Sequence, residues 1–168
     1  MSDQIQGIRE AVATATAGMT TEQLSQHVQA EKWSVVEILE HLMLTYTGTI
    51  KGMERCLEAG KPLATCQSFK QRLLTYLISR LGYFPEGREA PKQVRPKGTP
   101  AEDVLPTLLG SLDQLDAALD EAQQRFGNGK VMDHPLLGAF SAADWRGFHA
   151  SHAKHHIKQI AAMRVHLG

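Results

Sequence analysis

The chain has 168 residues, with 18 Lys plus Arg balanced by 18 Asp plus Glu, and eight His. That length suits a single domain, residues 1–168, whose core needs neither disulfide nor metal to hold it together. A formal charge of zero, with no long run of one sign, argues against nucleic acid or an anionic membrane as the main partner.

The first residues carry no apolar signal core, and no window approaches the roughly 18 uninterrupted apolar residues of a membrane span. Cys56 and Cys66 are ten apart and match no zinc-ribbon or redox spacing, so they read as two reduced thiols of a cytoplasmic protein.

From Asp3 to about Ala17, Ile5, Ile8, Val12 and Ala15 recur at helical steps, and Gly18 ends the helix. A short helical turn over Thr21 to His27 precedes Trp33. Ser34 with Glu37 then forms a capping box that opens a helix of roughly 40 Å, with a stripe of Ile38, Leu42, Thr45, Thr49, Met53 and Leu57 ending at Gly60-Lys61-Pro62. Phe69 to Leu81 is a shorter helix. Gly82 to Gly98 has no periodicity and many breakers, which predicts a long loop carrying Arg88, Lys92, Arg95 and Lys97.

Thr99 to Glu102 reads as a second capping box with Pro100 at the first helical position. The helix it opens carries Val104, Leu108, Leu112, Leu115 and Leu119, with Pro106 set to kink or delay it. After Gly127-Asn128-Gly129, the segment His134 to Gly138 is turn-like, and Ser141 with Asp144 caps a last helix reaching about His166. With no convincing alternating strand, the fold class is all-α, a helical bundle.

Histidine is concentrated rather than spread: His149, His152, His155 and His156 all fall within one eight-residue stretch. On a helix, His149, His152 and His156 share a face with Trp145, Gln159 and Met163, and apolar neighbours turn that face inward. The i, i+4 pair His152 and His156 sets two imidazoles to reach one transition-metal ion, and the facing-helix histidine available as a third ligand is His41. Three His with a position left open describe a catalytic rather than a closed structural site. His149 and His155 read as supporting or surface residues.

The run Trp33-Ser34-Val35-Val36-Glu37-Ile38-Leu39-Glu40-His41-Leu42, followed by His134-Pro135 to Gly138, Trp145, His152-Ala153-Lys154-His155-His156 and Gln159, resembles the DinB/YfiT-like metalloenzyme superfamily over nearly the whole chain. Tyr46 to Thr49 and Gly82 to Pro85 are similar to an uncharacterised bacterial branch of it. The resemblance implies a four-helix bundle with one additional short helix and a long loop, a homodimer, and a divalent ion, nickel or zinc, on His41, His152 and His156. It also implies a small-molecule substrate, with a low-molecular-weight thiol used for S-transfer. The basic loop and its Tyr83-Phe84 pair depart from the thiol-transferase members.

In a transferase, Arg88, Lys92 or Arg95 would bind the thiol's carboxylates. In a hydrolase using metal-bound hydroxide, Glu37 or Glu40 would be the general base. A third reading is a stress-related module that holds metal and catalyses nothing. Tyr46 and Tyr83 read as ordinary helix- or loop-edge tyrosines.

Overall fold

In the computed structural model, residues 1–81 and 89–167 are described. The elements run α1 (Asp3–Thr16), α2 (Thr21–Ser25), α3 (Val35–Glu58), α4 (Phe69–Leu81), a 3-10 turn (Lys92–Val94), α5 (Ala101–Phe126), β1 (Met132–His134), β2 (Gly138–Phe140) and α6 (Ala142–Leu167). The Gly82 to Pro85 segment, with Tyr83 and Phe84, and Arg88 lie outside the described residues.

Four helices build the bundle as a closed cycle, α1 on α5, α5 on α3, α3 on α6 and α6 back on α1, with α5 also touching α6. Their apolar stripes meet in a core that includes Ile5, Val12, Leu42, Met53, Leu108, Leu112, Leu119 and Ile160, each essentially inaccessible. Such stripes are what hold a helix in place, because propensity alone leaves short helices marginal. α4 lies outside the cycle against α6, burying Ile78 and leaving Phe69, Leu73 and Tyr76 exposed.

The caps at the two site-bearing helices form as read. Ser34 N–H donates to Glu37 Oε2 at 2.7 Å and Glu37 N–H reaches back to Ser34 Oγ at 3.4 Å. At α6, Ser141 N–H donates to Asp144 Oδ2 at 2.8 Å and Asp144 N–H to Ser141 Oγ at 3.1 Å.

Three expectations are corrected. The Thr99 to Glu102 capping box does not form: Pro100 is itself the cap, one residue later than expected, with no side-chain bond. The Thr99 hydroxyl donates instead to Glu40 Oε1 at 2.5 Å, a charge-assisted bond that a neutral cap does not match. Pro106 does not delay α5, which already begins at Ala101 and runs to Phe126 with Pro106 inside it.

Nor is the segment before α6 only a turn. β1 and β2 pair antiparallel, Met132 with Phe140 and His134 with Gly138. Three-residue strands are too short to show alternation. His134 Nδ1 accepts the amides of Leu136 and Leu137 across the turn, and Gly138 takes φ +77°, where a Cβ would meet the Gln71 side chain.

Candidate metal centre

His41 stands two turns into α3, fixed by the Ser34 cap below it, and His152 and His156 stand one turn apart on α6. Where α3 faces α6 the three rings converge. His41 Nε2 is 3.2 Å from His152 Nε2, His156 Nε2 is 3.1 Å from the same atom, and one ligand atom from each of the three lies within 4.8 Å of the others. The structure therefore brings together all three metal ligands read from the sequence, and the trio can hold a metal ion.

Two of the three nitrogen separations fit such an ion. With metal–nitrogen bonds of about 2.0–2.1 Å, ligand nitrogens sit about 3.3 Å apart around a tetrahedral ion and about 2.9 Å apart at right angles. The two observed separations, 3.1 and 3.2 Å, fall in that interval.

Tautomers point the same way. His41 Nδ1 is 2.7 Å from the Val94 carbonyl, which can only accept, so Nδ1 carries the proton and Nε2 turns a lone pair inward. His156 Nδ1 donates likewise to Gln159 Oε1 at 2.7 Å, while Gln159 Nε2 is turned to His155 Nε2 at 3.3 Å. Two inward lone pairs thus face His152 Nε2. One proton there can serve only one of them, whereas a cation serves all three nitrogens. Outer partners of this kind fix the rings of metal-binding histidines.

Burial keeps the trio neutral. His41, His152 and His156 are 5%, 8% and 7% exposed, which disfavours the charged form. Desolvation lowers His41 despite its Val94 bond, lowers His152 well below 6.5 with the help of neighbouring imidazoles, and brings His156 down to about 3. Neutral imidazole is the form that binds metal. The walls are aromatic: Trp33 lies 5.1 Å from the His41 ring, and Phe148 stacks on His152 at 5.2 Å.

His149 and His155 stay out of the trio. His149, fully buried, contacts Thr49 Oγ1 at 3.1 Å and packs edge-on against Tyr46, and desolvation holds it at about 3. Tyr46 is interior rather than edge-placed, and burial pushes its phenol far upward.

The two candidate carboxylates are engaged elsewhere. Glu37 serves the cap and sits 3.5 Å from His27 Nε2. Glu40, 1% exposed, accepts from Gly98 N–H at 3.1 Å, Thr99 N–H at 3.3 Å and the Thr99 hydroxyl. Burial pushes Glu40 up, and these bonds with the Lys97 amide outweigh it, leaving its pKa below the ordinary value. Of the loop cations, Arg95 pairs with Glu89 and the Ala90 carbonyl, and Lys92 is exposed.

Sequence reasoning missed the Val94 carbonyl, since a main-chain acceptor leaves no residue signature. It also missed the Gly98-Thr99 hold on Glu40, for which the acidic residue beside His41 was the available clue.

A family model for a protein of unknown function, DUF1569, matches residues 4–163, which include all three histidines. The chain belongs to the DUF1569 family. This DUF1569 protein is also similar to the uncharacterized protein YuaE of Bacillus subtilis (strain 168), 24% identical over 159 residues that cover 88% of this chain and 86% of that protein. No solved structure matches.

Proposed function

We propose that this DUF1569 protein is a metal-dependent enzyme of the DinB/YfiT-like type, with nickel or zinc on His41, His152 and His156 and a low-molecular-weight thiol as co-substrate. The observation that carries the metal reading is the convergence of three neutral, buried Nε2 atoms, two of them locked by Nδ1 donors. When bound, an ion held by neutral ligands keeps its full charge and lowers the pKa of a thiol or water beside it.

Thiol transfer is favoured over hydrolysis by the engagement of Glu37 and Glu40, which leaves neither carboxylate poised to deprotonate a water. A thiol, already far more acidic than water, needs no such base. The rings of Trp33 and Phe148 give the site apolar walls suited to an alkyl or aryl acceptor. Two free cysteines, one buried and one exposed, support a reducing compartment such as the cytoplasm. A homodimer is part of the same proposal, read by sedimentation velocity.

The test is metal analysis of the purified protein, then a thermal-shift screen of the loaded protein against small thiols, esters and amides. A thiol present at 100 times its dissociation constant stabilises by about 2.7 kcal/mol. Shifts with a thiol and none with esters or amides support transfer; the converse supports hydrolysis. Full-strength metal binding by His156→Ala overturns the three-histidine site.

A further inference from the structure

We infer that Glu40 is a positioning residue for the metal trio, acting on His41 through the segment 94–99. The inference rests on the metal reading above and concerns how the site is held rather than what it binds.

The neighbouring residues Glu40 and His41 grip the two ends of one short stretch of chain. His41 Nδ1–H donates to the Val94 carbonyl at its start, where the 3-10 turn closes, and Glu40 accepts from Gly98 and Thr99 at its end. Between the two grips lie Arg95 and Pro96, with the Lys97 amide joining the Glu40 side, and Pro96 has no N–H to offer any other anchor. Gly98 takes φ +84°, a conformation favouring glycine, where its amide points at the Glu40 carboxylate. Glu40 is as buried as the core leucines, so its charge is tolerated only because these donors meet it.

The chemistry follows from the Val94 bond. Fixing Nδ1 as the donor commits His41 Nε2 to the inward lone pair. If the segment drifts, the ring is free to turn and to exchange tautomers. Glu40, one residue away, keeps the Val94 carbonyl in place by tethering the far end. The Val94 bond, once removed from the ion, is of the kind worth about 10–100-fold in metal affinity, and that sets the upper bound on what Glu40 contributes by holding it.

The test compares Glu40→Gln, Thr99→Val and His41→Ala with the unaltered chain by zinc and cobalt competition titration, the cobalt(II) visible spectrum, and the ¹⁵N shifts of the His41 ring. Glu40→Gln is expected to keep one ion per chain, weaken affinity by up to about 100-fold, alter the cobalt spectrum and blur the His41 Nδ1–H assignment. Thr99→Val removes one donor outside the helix and is expected to shift the same readouts less. It decides the matter if Glu40→Gln does not fold. Wild-type affinity and an unchanged cobalt spectrum in the folded Glu40→Gln chain, or in Thr99→Val alone, overturn the positioning role. Undiminished zinc binding by His41→Ala overturns the metal reading instead, so the two failures are distinguishable.

Discussion

Lowering the pH should unfold the metal-free protein in a window set by its buried imidazoles. His134, His149 and His156 are held by burial at about 4, about 3 and about 3, and His152 lies well below 6.5. All four are neutral in the folded chain and take up a proton in the unfolded one as pH falls below 6.5. Their contribution is therefore fully present above pH 6.5 and is lost as pH falls towards the folded values. Each of His134, His149 and His156 costs about 1.4 kcal/mol per pH unit once the unfolded form is protonated, so together they cost about 4 kcal/mol per unit and about 6 kcal/mol by pH 5. His152 and His41, also lowered by burial, add to the loss in the same direction. Total stabilities of about 5–15 kcal/mol then place acid unfolding between about pH 4 and 5.5. Glu40, Asp116 and Asp144 have lowered pKa values, so they add their own loss only at lower pH. Urea titrations followed by far-UV circular dichroism between pH 7.5 and 5 measure the slope. His149→Gln, outside the trio, should flatten it by about one proton. A change under about 2 kcal/mol between pH 7 and 5 would refute the reasoning.

Three further substitutions probe the surroundings. The Tyr46 hydroxyl is buried with no partner among the described residues, so Tyr46→Phe should raise stability by about 1 kcal/mol in urea denaturation, and a loss of that size would show that the hydroxyl is bonded. A Cβ at Gly52 would lie 2.0 Å from Met132 Sδ, so Gly52→Ala should displace the Met132 side-chain end and shift its methyl resonance, with the repacking cost offset by about 1 kcal/mol of helix propensity; an unmoved methyl would contradict the close packing. Ser34→Ala should cost about 1 kcal/mol by unpairing the cap beneath His41, which thermal unfolding detects, and a neutral result would deny the cap its role.

The bundle was legible because its helices announce themselves twice, by stripes such as Val104, Leu108, Leu112 and by boxes such as Ser34-Glu37 and Ser141-Asp144. Phe69–Leu81 matches its predicted bounds for the same reason. Thr99 misled because a hydroxyl followed by Pro and Glu has the local form of a cap, while its actual partner, Glu40, is 59 residues away. β1 and β2 were hidden by brevity. The histidine trio was legible because an i, i+4 pair is local and His41 sat on a helix that had to face it. Its outer partners divided by type: Gln159 is visible as a residue one turn from His156, whereas Val94 contributes only a carbonyl, which every residue has.

The ligands are also far apart in the order of synthesis. His41 and His152 are separated by 111 residues, so at about 5–20 residues per second some 6–22 seconds pass before the chain possesses both. Until α6 emerges, a nascent chain offers an ion one imidazole from this site, and the pair on α6 gains its third partner only when α6 folds back onto α3. A three-histidine group of this kind is thus complete only once the bundle can close.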